Sequence, residues 1–422
     1  MRFSYSRMKH SNRKVKLAVL VTHPVQYFQP VFKELSAQPG IDLLVVYACN
    51  HGLTHSYDPD FQSDIAWDSD VISGFRSTFL SHYKLSRLSS FFSSFCLAFK
   101  ASRVISDFNA DFTLVYSYTP VFISLSTLIL KLSGKHLYLR ADGTDRALPR
   151  GSLKSFIRNI ILYLWYKLFR HIFPIGSDSD RHFARLGVVE DRRTSISFAV
   201  NYDFFDLQSK FWMTQRESIR SMYGIRKDNI VLLWSAKMTS RKNPMLLIHA
   251  LAMLPPHIKK RIFLVAMGDG PLRNTFQSYA IKHLDDRVCF LGFCNQRQLG
   301  RGYACSDVLI FPSSKGETWG LVVNEALQYG LAVISSDHPG CAADLLDGKI
   351  DIPYGSNVFP NHDVASLSNS ISMFANIYHD GYLPRPVKGL PRPIDLVMAI
   401  KDQISKDSEC NANHSPNTIH RQ

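Results

Sequence analysis

Short apolar runs alternate with longer stretches in which apolar residues recur at helical spacing. In the first half, runs at residues 16–23, 42–49, 112–117, 137–140, 171–175 and 194–200 have the length of buried strands. Helical periodicity fits segments near 31–36, 89–108, 121–132 and 152–170. A polar stretch at about 203–218 breaks the pattern and reads as a linker. Alternation then resumes with strands at 230–236, 262–267 and 288–292 and helices at 244–253 and 272–283. Strand–helix alternation of this kind predicts parallel sheets joined by crossover helices, so the chain is expected to be α/β and doubly wound. The expected division is a first domain at 15–205, a second at 219–385, and a C-terminal segment at 386–422. That last segment opens Pro-rich, carries one helix near 394–405 and ends in a polar tail expected to be disordered. Residues 50–80 are polar and aromatic, too long for an ordinary connection, and predict a functional or mobile loop.

The densest stretch is 308–337, VLIFPSSKGETWGLVVNEALQYGLAVISSD. The run 308–311 ends at Pro312-Ser313-Ser314 as a buried strand. A helix is expected to start near Trp319–Gly320, carrying Leu321, Val322, Ala326 and Leu327 inward, and to end at Gly330 in a left-handed conformation. A second strand at 331–335 completes a βαβ crossover. Ligands of such sheets bind beyond the carboxyl ends of the strands, beside helix N-termini, where Lys315, Gly316, Glu317 and Thr318 fall. Free N–H groups around Gly320–Val323 and the helix dipole favour phosphate there. Glu317 in the loop and Glu325 on the helix could grip hydroxyls at two ends of an elongated, phosphate-bridged ligand. Spacing alone equally allows a solvated Glu325 and a Glu317 that merely answers the dipole.

A second basic loop, Ser235-Ala236-Lys237-Met238-Thr239-Ser240-Arg241-Lys242-Asn243-Pro244, also follows a strand and opens a helix. Lys237 and Lys242 there suit two oxygens of a diphosphate, although such clusters are often solvated loops. Gly268-Asp269-Gly270-Pro271 is a cleft-lining loop or simply a tight turn. The chain has 422 residues, 45% hydrophobic and 20% charged, enough for two sizeable cores. No apolar run reaches transmembrane length, and the apolar run after the basic residues 1–14 is too short for a signal peptide. Seven scattered cysteines without a Cys-x-x-Cys pair fit a reducing compartment and argue against structural zinc. A net charge of +14 points to a polyanionic partner. No zinc finger, RNA-recognition signature or long basic run supports nucleic acid, so none is expected.

Glu317, seven residues, then Glu325, within S-x-x-E-x-x-G-x-x-x-x-E-A, resembles the E-x7-E motif of retaining GT-B glycosyltransferases, specifically glycosyltransferase family 4. Pro312-Ser313-Ser314, Gly330 and Ala332-Val333-Ile334 match as well. The likeness covers 230–350 well and 16–200 in outline. It implies two Rossmann-like domains facing a cleft, with the nucleotide sugar mainly on the second. It further implies that Glu317 meets the donor sugar and Glu325 the ribose. Lys237 and Lys242 would meet the diphosphate, with lysine where the family usually has arginine at the first position. Thr318, Trp319, Gly320, Leu321 and Gly268 are expected to line the donor site. Phe293 is expected either beside the base or as a buried aromatic. His23-Pro24-Val25-Gln26-Tyr27 replaces the usual Gly-rich turn and resembles a subgroup acting in bacterial surface-polysaccharide and lipopolysaccharide synthesis. His23 is a cleft candidate or a structural histidine. Where many relatives carry a histidine near the donor sugar, this chain offers Arg140 and Asp142.

The expected activity is retaining transfer of a sugar from a nucleotide-diphosphate sugar to a glycan or lipid-linked acceptor. The alternatives are a GT-B epimerase or hydrolase, or an inactive homologue serving as a binding subunit. No cofactor and no metal are expected. The triplets Asp58-Pro59-Asp60, Asp68-Ser69-Asp70 and Asp178-Ser179-Asp180 read as turn or helix-capping aspartates, the last ahead of a helix near Arg181. The segment 156–173, FIRNIILYLWYKLFRHIF, fits an amphipathic core helix or, alternatively, a face lying on an anionic membrane. The cysteine pattern leads to an expected cytoplasmic location, and the membrane-face alternative would make it peripheral on the inner face of the cytoplasmic membrane.

Overall fold

Most of the apolar runs pair with one another as parallel strands, and helices bury both faces of the resulting sheets. The computed structural model describes residues 13–53, 56–58, 63–65, 68, 70–82, 91–146, 152–348, 350–378 and 384–413. The first domain runs β1 (Val15–Val21), α1 (Gln29–Ser36), β2 (Ile41–Tyr47), β3 (Ser56–Asp58), β4 (Ser63–Ile65), β5 (Ser77–Phe79), α2 (Phe91–Asp107) and β6 (Phe112–Tyr116). It continues with α3 (Val121–Leu132), β7 (His136–Ala141), α4 (Ser152–Tyr166), β8 (His171–Pro174) and α5 (Gly176–Arg185). Helices α6 (Tyr202–Met213) and α7 (Arg216–Met222) lead into the second domain. That domain runs β9 (Ile230–Ser235), α8 (Pro244–Met253), α9 (Pro256–Lys259), β10 (Ile262–Met267), α10 (Arg273–Leu284), β11 (Val288–Gly292) and α11 (Gln296–Cys305). It closes with β12 (Val308–Phe311), α12 (Leu321–Gln328), β13 (Ala332–Ser336), α13 (Gly340–Leu345), β14 (Asn357–Phe359) and α14 (Val364–Ile377), followed by α15 (Pro393–Asn413).

The described residues form two all-parallel six-stranded sheets, ordered β5-β2-β1-β6-β7-β8 and β11-β10-β9-β12-β13-β14, plus the antiparallel pair β3-β4. Strand order reverses between β1 and β6 in one sheet and between β9 and β12 in the other. Ligand crevices of such sheets open at these switch points. The expected α/β architecture of two Rossmann-like domains is thus the one observed. One apolar cluster joins α2, α3 and α4 to the first sheet, and another joins α1 to its opposite face. The C-terminal α15 returns to that opposite face through Leu396, Val397, Ile400 and Ile404. Asp407 anchors it, accepting from the Tyr138 hydroxyl at 2.7 Å and pairing with Arg170 at 2.9 Å.

Several segments depart from the sequence pattern for identifiable reasons. The stretch 194–200 is extended but is not a strand. Buried Arg140 captures its carbonyls, donating to Ile196 O at 2.7 Å and Ser197 O at 3.4 Å, and to Pro174 O at 2.9 Å. Burial lowers the Arg140 pKa to about 10. The polar linker is helical: Asn201 caps α6, and α7 turns two arginines inward. Arg216 and Arg220, four apart on α7, both meet buried Asp307. Asp307 also accepts from Val231 N at 2.7 Å. The loop at 50–80 supplies the edge strand β5, which pairs with β2. The helices α11, α13 and α14 were hidden among turns and polar residues, whereas the helix expected near Arg181 is α5 and starts earlier, at Gly176. Asp178 and Asp180 lie inside α5 rather than capping it, and pair with Arg181 and Arg193. Pro59, Asp60, Ser69 and the polar tail beyond 413 lie outside the described residues.

The helix expected over 152–170 ends at Tyr166. Only its inner edge is buried, through Leu162 and Tyr166. Leu153, Phe156, Ile157, Ile160, Ile161 and Leu164 are 46–70% exposed. Phe91, Phe92, Phe95 and Phe99 of α2, on the same side of the sheet, are exposed too. Among the described residues no helix is long and apolar enough to cross a membrane.

Candidate active site

A cavity of about 350 Å³ opens between the two switch points. Its second-domain wall is built from four loops, which follow β9, β10, β11 and β12. The β9 loop brings Lys237, Arg241 and Lys242 to the cavity. Asn243 turns this loop into α8 with a left-handed backbone (φ +56°), a conformation asparagine tolerates, and Pro244 starts the helix. Two bonds tie the loop to the turn after β10: Met238 N to Asp269 O at 2.8 Å and Leu272 N to Met238 O at 2.9 Å. Gly268 in that turn has φ +120°, and a Cβ there would lie 2.0 Å from Ala236 O. Only glycine lets these two loops approach so closely.

The β12 loop is held against the β9 loop by Ser314, which donates from both backbone N and Oγ to Arg241 O. This places Glu317 beside Lys242, and the two form an ion pair whose side chains are 12% and 15% exposed. Gly320, φ +101°, is the N-cap of α12, and no side chain caps that helix. Leu321 and Val322 are half-buried and line the cavity instead of turning fully inward, while Val323, Ala326 and Leu327 take the core. Met267, Phe293, Cys294 and Leu299 form an apolar end.

Glu325 is not a solvated helix glutamate. It is 3% exposed, and each oxygen accepts from a phenol: Oε1 from Tyr27 at 2.8 Å and Oε2 from Tyr303 at 2.6 Å. Burial raises its pKa, against the opposing pull of the two hydroxyl donors. Burial and then the Glu325 charge push both phenols up, so each remains a donor.

The first-domain wall differs from expectation. Gln26 and Tyr27, from the loop after β1, line the cavity, and His23 does not. His23 shares Nδ1 with Thr22 Oγ1 at 2.9 Å and packs edge-on against His51. Burial, and then His51, lowers its pKa to about 4. Asp142 reaches across the cleft and accepts from Thr318 Oγ1 at 2.7 Å, next to Glu317. Trp319, by contrast, is a core residue. Its indole is 2% exposed and donates to Asn324 Oδ1 at 2.9 Å. Further ties close the cleft, from Ser177 N to Asp344 Oδ2 at 2.9 Å and from Asn324 Nδ2 to Phe198 O at 3.1 Å. The sequence reading did not assign Gln26, Tyr27, Arg241 or Tyr303 to the site. Only the position of Gln26 and Tyr27 just beyond a first parallel strand signalled them.

The arrangement offers two lysines and an uncapped helix N-terminus for a diphosphate, and two carboxylates for hydroxyls on either side of it. Residues 215–377 match the family model described as glycosyl transferases group 1. A putative glycosyltransferase, EpsD, of Bacillus subtilis is 30% identical over 136 residues, which cover 32% of this chain and 35% of that relative. The chain therefore spans about a third of that relative's length. Among solved structures, a sucrose-phosphate synthase of Thermosynechococcus elongatus superimposes with a TM-score of 0.67 at 16% identity, covering 94% of this chain and all of the other. Anabaena Alr3699/HepE, solved in complex with UDP and glucose, gives a TM-score of 0.63 at 14% identity over 93% of this chain and all of the other. At these identities the likeness is one of fold, the GT-B arrangement of two Rossmann-like domains around a cleft.

Proposed function

We propose that the chain is a retaining glycosyltransferase. It moves a sugar from a nucleotide-diphosphate sugar to a glycan or lipid-linked acceptor in surface-polysaccharide synthesis. The observation that carries this reading is the convergence of Lys237, Lys242, Glu317 and Glu325 on one cavity at the switch points of both sheets.

The donor diphosphate lies against Lys237, Lys242 and the N-terminus of α12, which stabilise the charge that grows as it departs. Lys242 is paired with Glu317, and incoming phosphate shares that lysine. Glu317 then holds a sugar hydroxyl and Glu325 the ribose, fixing the donor for front-face attack. The acceptor oxygen bonds to the anomeric carbon as the bond to phosphate breaks. The diphosphate keeps the electron pair, and the acceptor proton passes to its oxygen. No protein carboxylate forms a covalent intermediate. The leaving charge is met by lysines and helix dipole, so this reading has transfer persisting in excess EDTA.

The exposed apolar face of α2 and α4, set among Lys154, Arg158 and Lys167, supports an acceptor presented at an anionic membrane surface. The direct test of the activity is thermal-shift screening against nucleoside diphosphates and their sugars, followed by product analysis with and without acceptor. A nucleotide ligand should raise the melting temperature by mass action. Conversion of the donor without any acceptor would instead mark an epimerase or hydrolase.

A further inference from the structure

Tyr27 hydrogen-bonds from the first domain to Glu325, the buried carboxylate that lines the cavity in the second. Of the two phenols on Glu325, Tyr303 is fully buried on α11, whereas Tyr27 lines the cavity. A hydroxyl that approaches Glu325 from the cavity therefore arrives on the Oε1 side, where the Tyr27 hydroxyl already sits at 2.8 Å. We propose that Tyr27 belongs to the nucleotide site. Its hydroxyl holds Glu325 Oε1 while the site is empty and yields to a ribose hydroxyl when a nucleotide enters. This rests on the reading of Glu325 as the carboxylate that receives the ribose.

The exchange is of like for like. A buried carboxylate that loses a donor is costly, and here one hydroxyl leaves only as another arrives, so Glu325 is never left unpaired on that side. The released phenol has an acceptor at hand. Gln26 adjoins Tyr27 and is 9% exposed, and its Oε1 is without a partner. The bond that breaks joins residues of facing domains, so nucleotide entry undoes one tie across the cleft. The ties from Thr318 to Asp142 and from Ser177 to Asp344 do not involve Glu325 and remain. The nucleotide site is thus shared between the domains, and the first domain senses whether it is filled.

Isothermal titration calorimetry with UDP, GDP, ADP and CDP, and then with the 2′,3′-dideoxy analogue of the tightest binder, tests this. Tyr27→Phe keeps the ring and removes the competing hydroxyl, so it should bind the ribonucleotide more tightly, by about tenfold, the worth of one hydrogen bond to a charged group. The dideoxy analogue, which makes no bond to Glu325, should bind Tyr27→Phe and wild type alike. Tyr303→Phe removes a bond on the side away from the cavity, so it should weaken ribonucleotide binding. Opposite signs for two tyrosines on one carboxylate are not what a purely structural role gives. Unchanged or weaker binding by Tyr27→Phe would overturn the proposal, as would an equal gain with the dideoxy analogue. Failure of the underlying reading shows elsewhere: wild type binding none of the four nucleotides, or Glu325→Ala binding as wild type does, removes both.

Discussion

The second domain presents a charged wall to the cleft, built from loops fixed by backbone hydrogen bonds and glycine. The first domain presents Gln26 to the cavity, and Tyr27 and Asp142 reach across by side-chain bonds. The charged second-domain wall is preorganised: Ser314 pins the basic loop and Gly268 sets its depth, whatever the other domain does. The other is conditional, because Tyr27 and Asp142 keep their bonds only while the domains face one another. Electrostatic stabilisation of a leaving group needs fixed charges, and admission and release of a ligand need contacts that can be exchanged.

The contrast breaks most sharply at Lys242. Lys242→Ala should lower turnover by about 100–1,000-fold, the range for one lost electrostatic stabiliser, and Lys237→Ala should act in the same direction. Circular dichroism should remain native, and wild-type turnover in both variants would refute the assignment.

Within the charged wall, the two glutamates separate binding from positioning. Glu325→Ala should weaken a bare nucleoside diphosphate by about 10–100-fold, the worth of hydrogen bonds to a charged group. Glu317→Ala should leave that affinity within about twofold and impair transfer instead. Equal losses measured by calorimetry would contradict this division.

Acid should loosen the first domain before the second. His171, at the start of β8, is 2% exposed and shares Nε2 with Thr194 Oγ1 at 2.9 Å. Burial lowers its pKa from 6.5 to about 4. Between those values the unfolded chain binds the proton and the native chain does not, so stability is fully present above pH 6.5 and falls as pH drops towards 4. The loss at pH 5 is about 2 kcal/mol from this group alone. Burial also lowers His136 and His182 in the same domain. Urea midpoints should fall between pH 7.5 and 5, and His171→Gln should flatten that slope. An unchanged slope in the variant would dismiss His171 as its source.

The outer surface extends the contrast between domains. Vesicle binding through α2 and α4 should require anionic lipid and weaken with salt. Ile157→Asp with Ile160→Asp should reduce the vesicle-bound fraction while sparing nucleotide affinity. Salt-insensitive binding to neutral vesicles would count against an electrostatic surface. The smallest effect belongs to His23. It lies outside the cavity, and His23→Ala should change nucleotide affinity by less than about twofold; a larger loss in calorimetry would restore it to the site.

The sequence by itself determined the alternation of strands and helices, the boundaries of β11, β12, α3 and α8, and the loops that carry Lys237, Lys242, Glu317 and Glu325. These follow from local periodicity and from the rule that ligands gather beyond the carboxyl ends of parallel strands. It did not determine whether Glu325 is solvated or sealed, because its partners Tyr27 and Tyr303 lie 298 and 22 positions away. It misjudged 203–218 as a polar linker because Arg216 and Arg220 are polar in sequence yet buried around Asp307. Thr194–Val200 looked like a strand until Arg140 claimed its carbonyls, and Trp319 looked like a cleft residue until α12 turned it into the core. Periodicity tells which face of an element is apolar, but only the tertiary structure decides what covers it. For α4 the answer is that most of that face stays open.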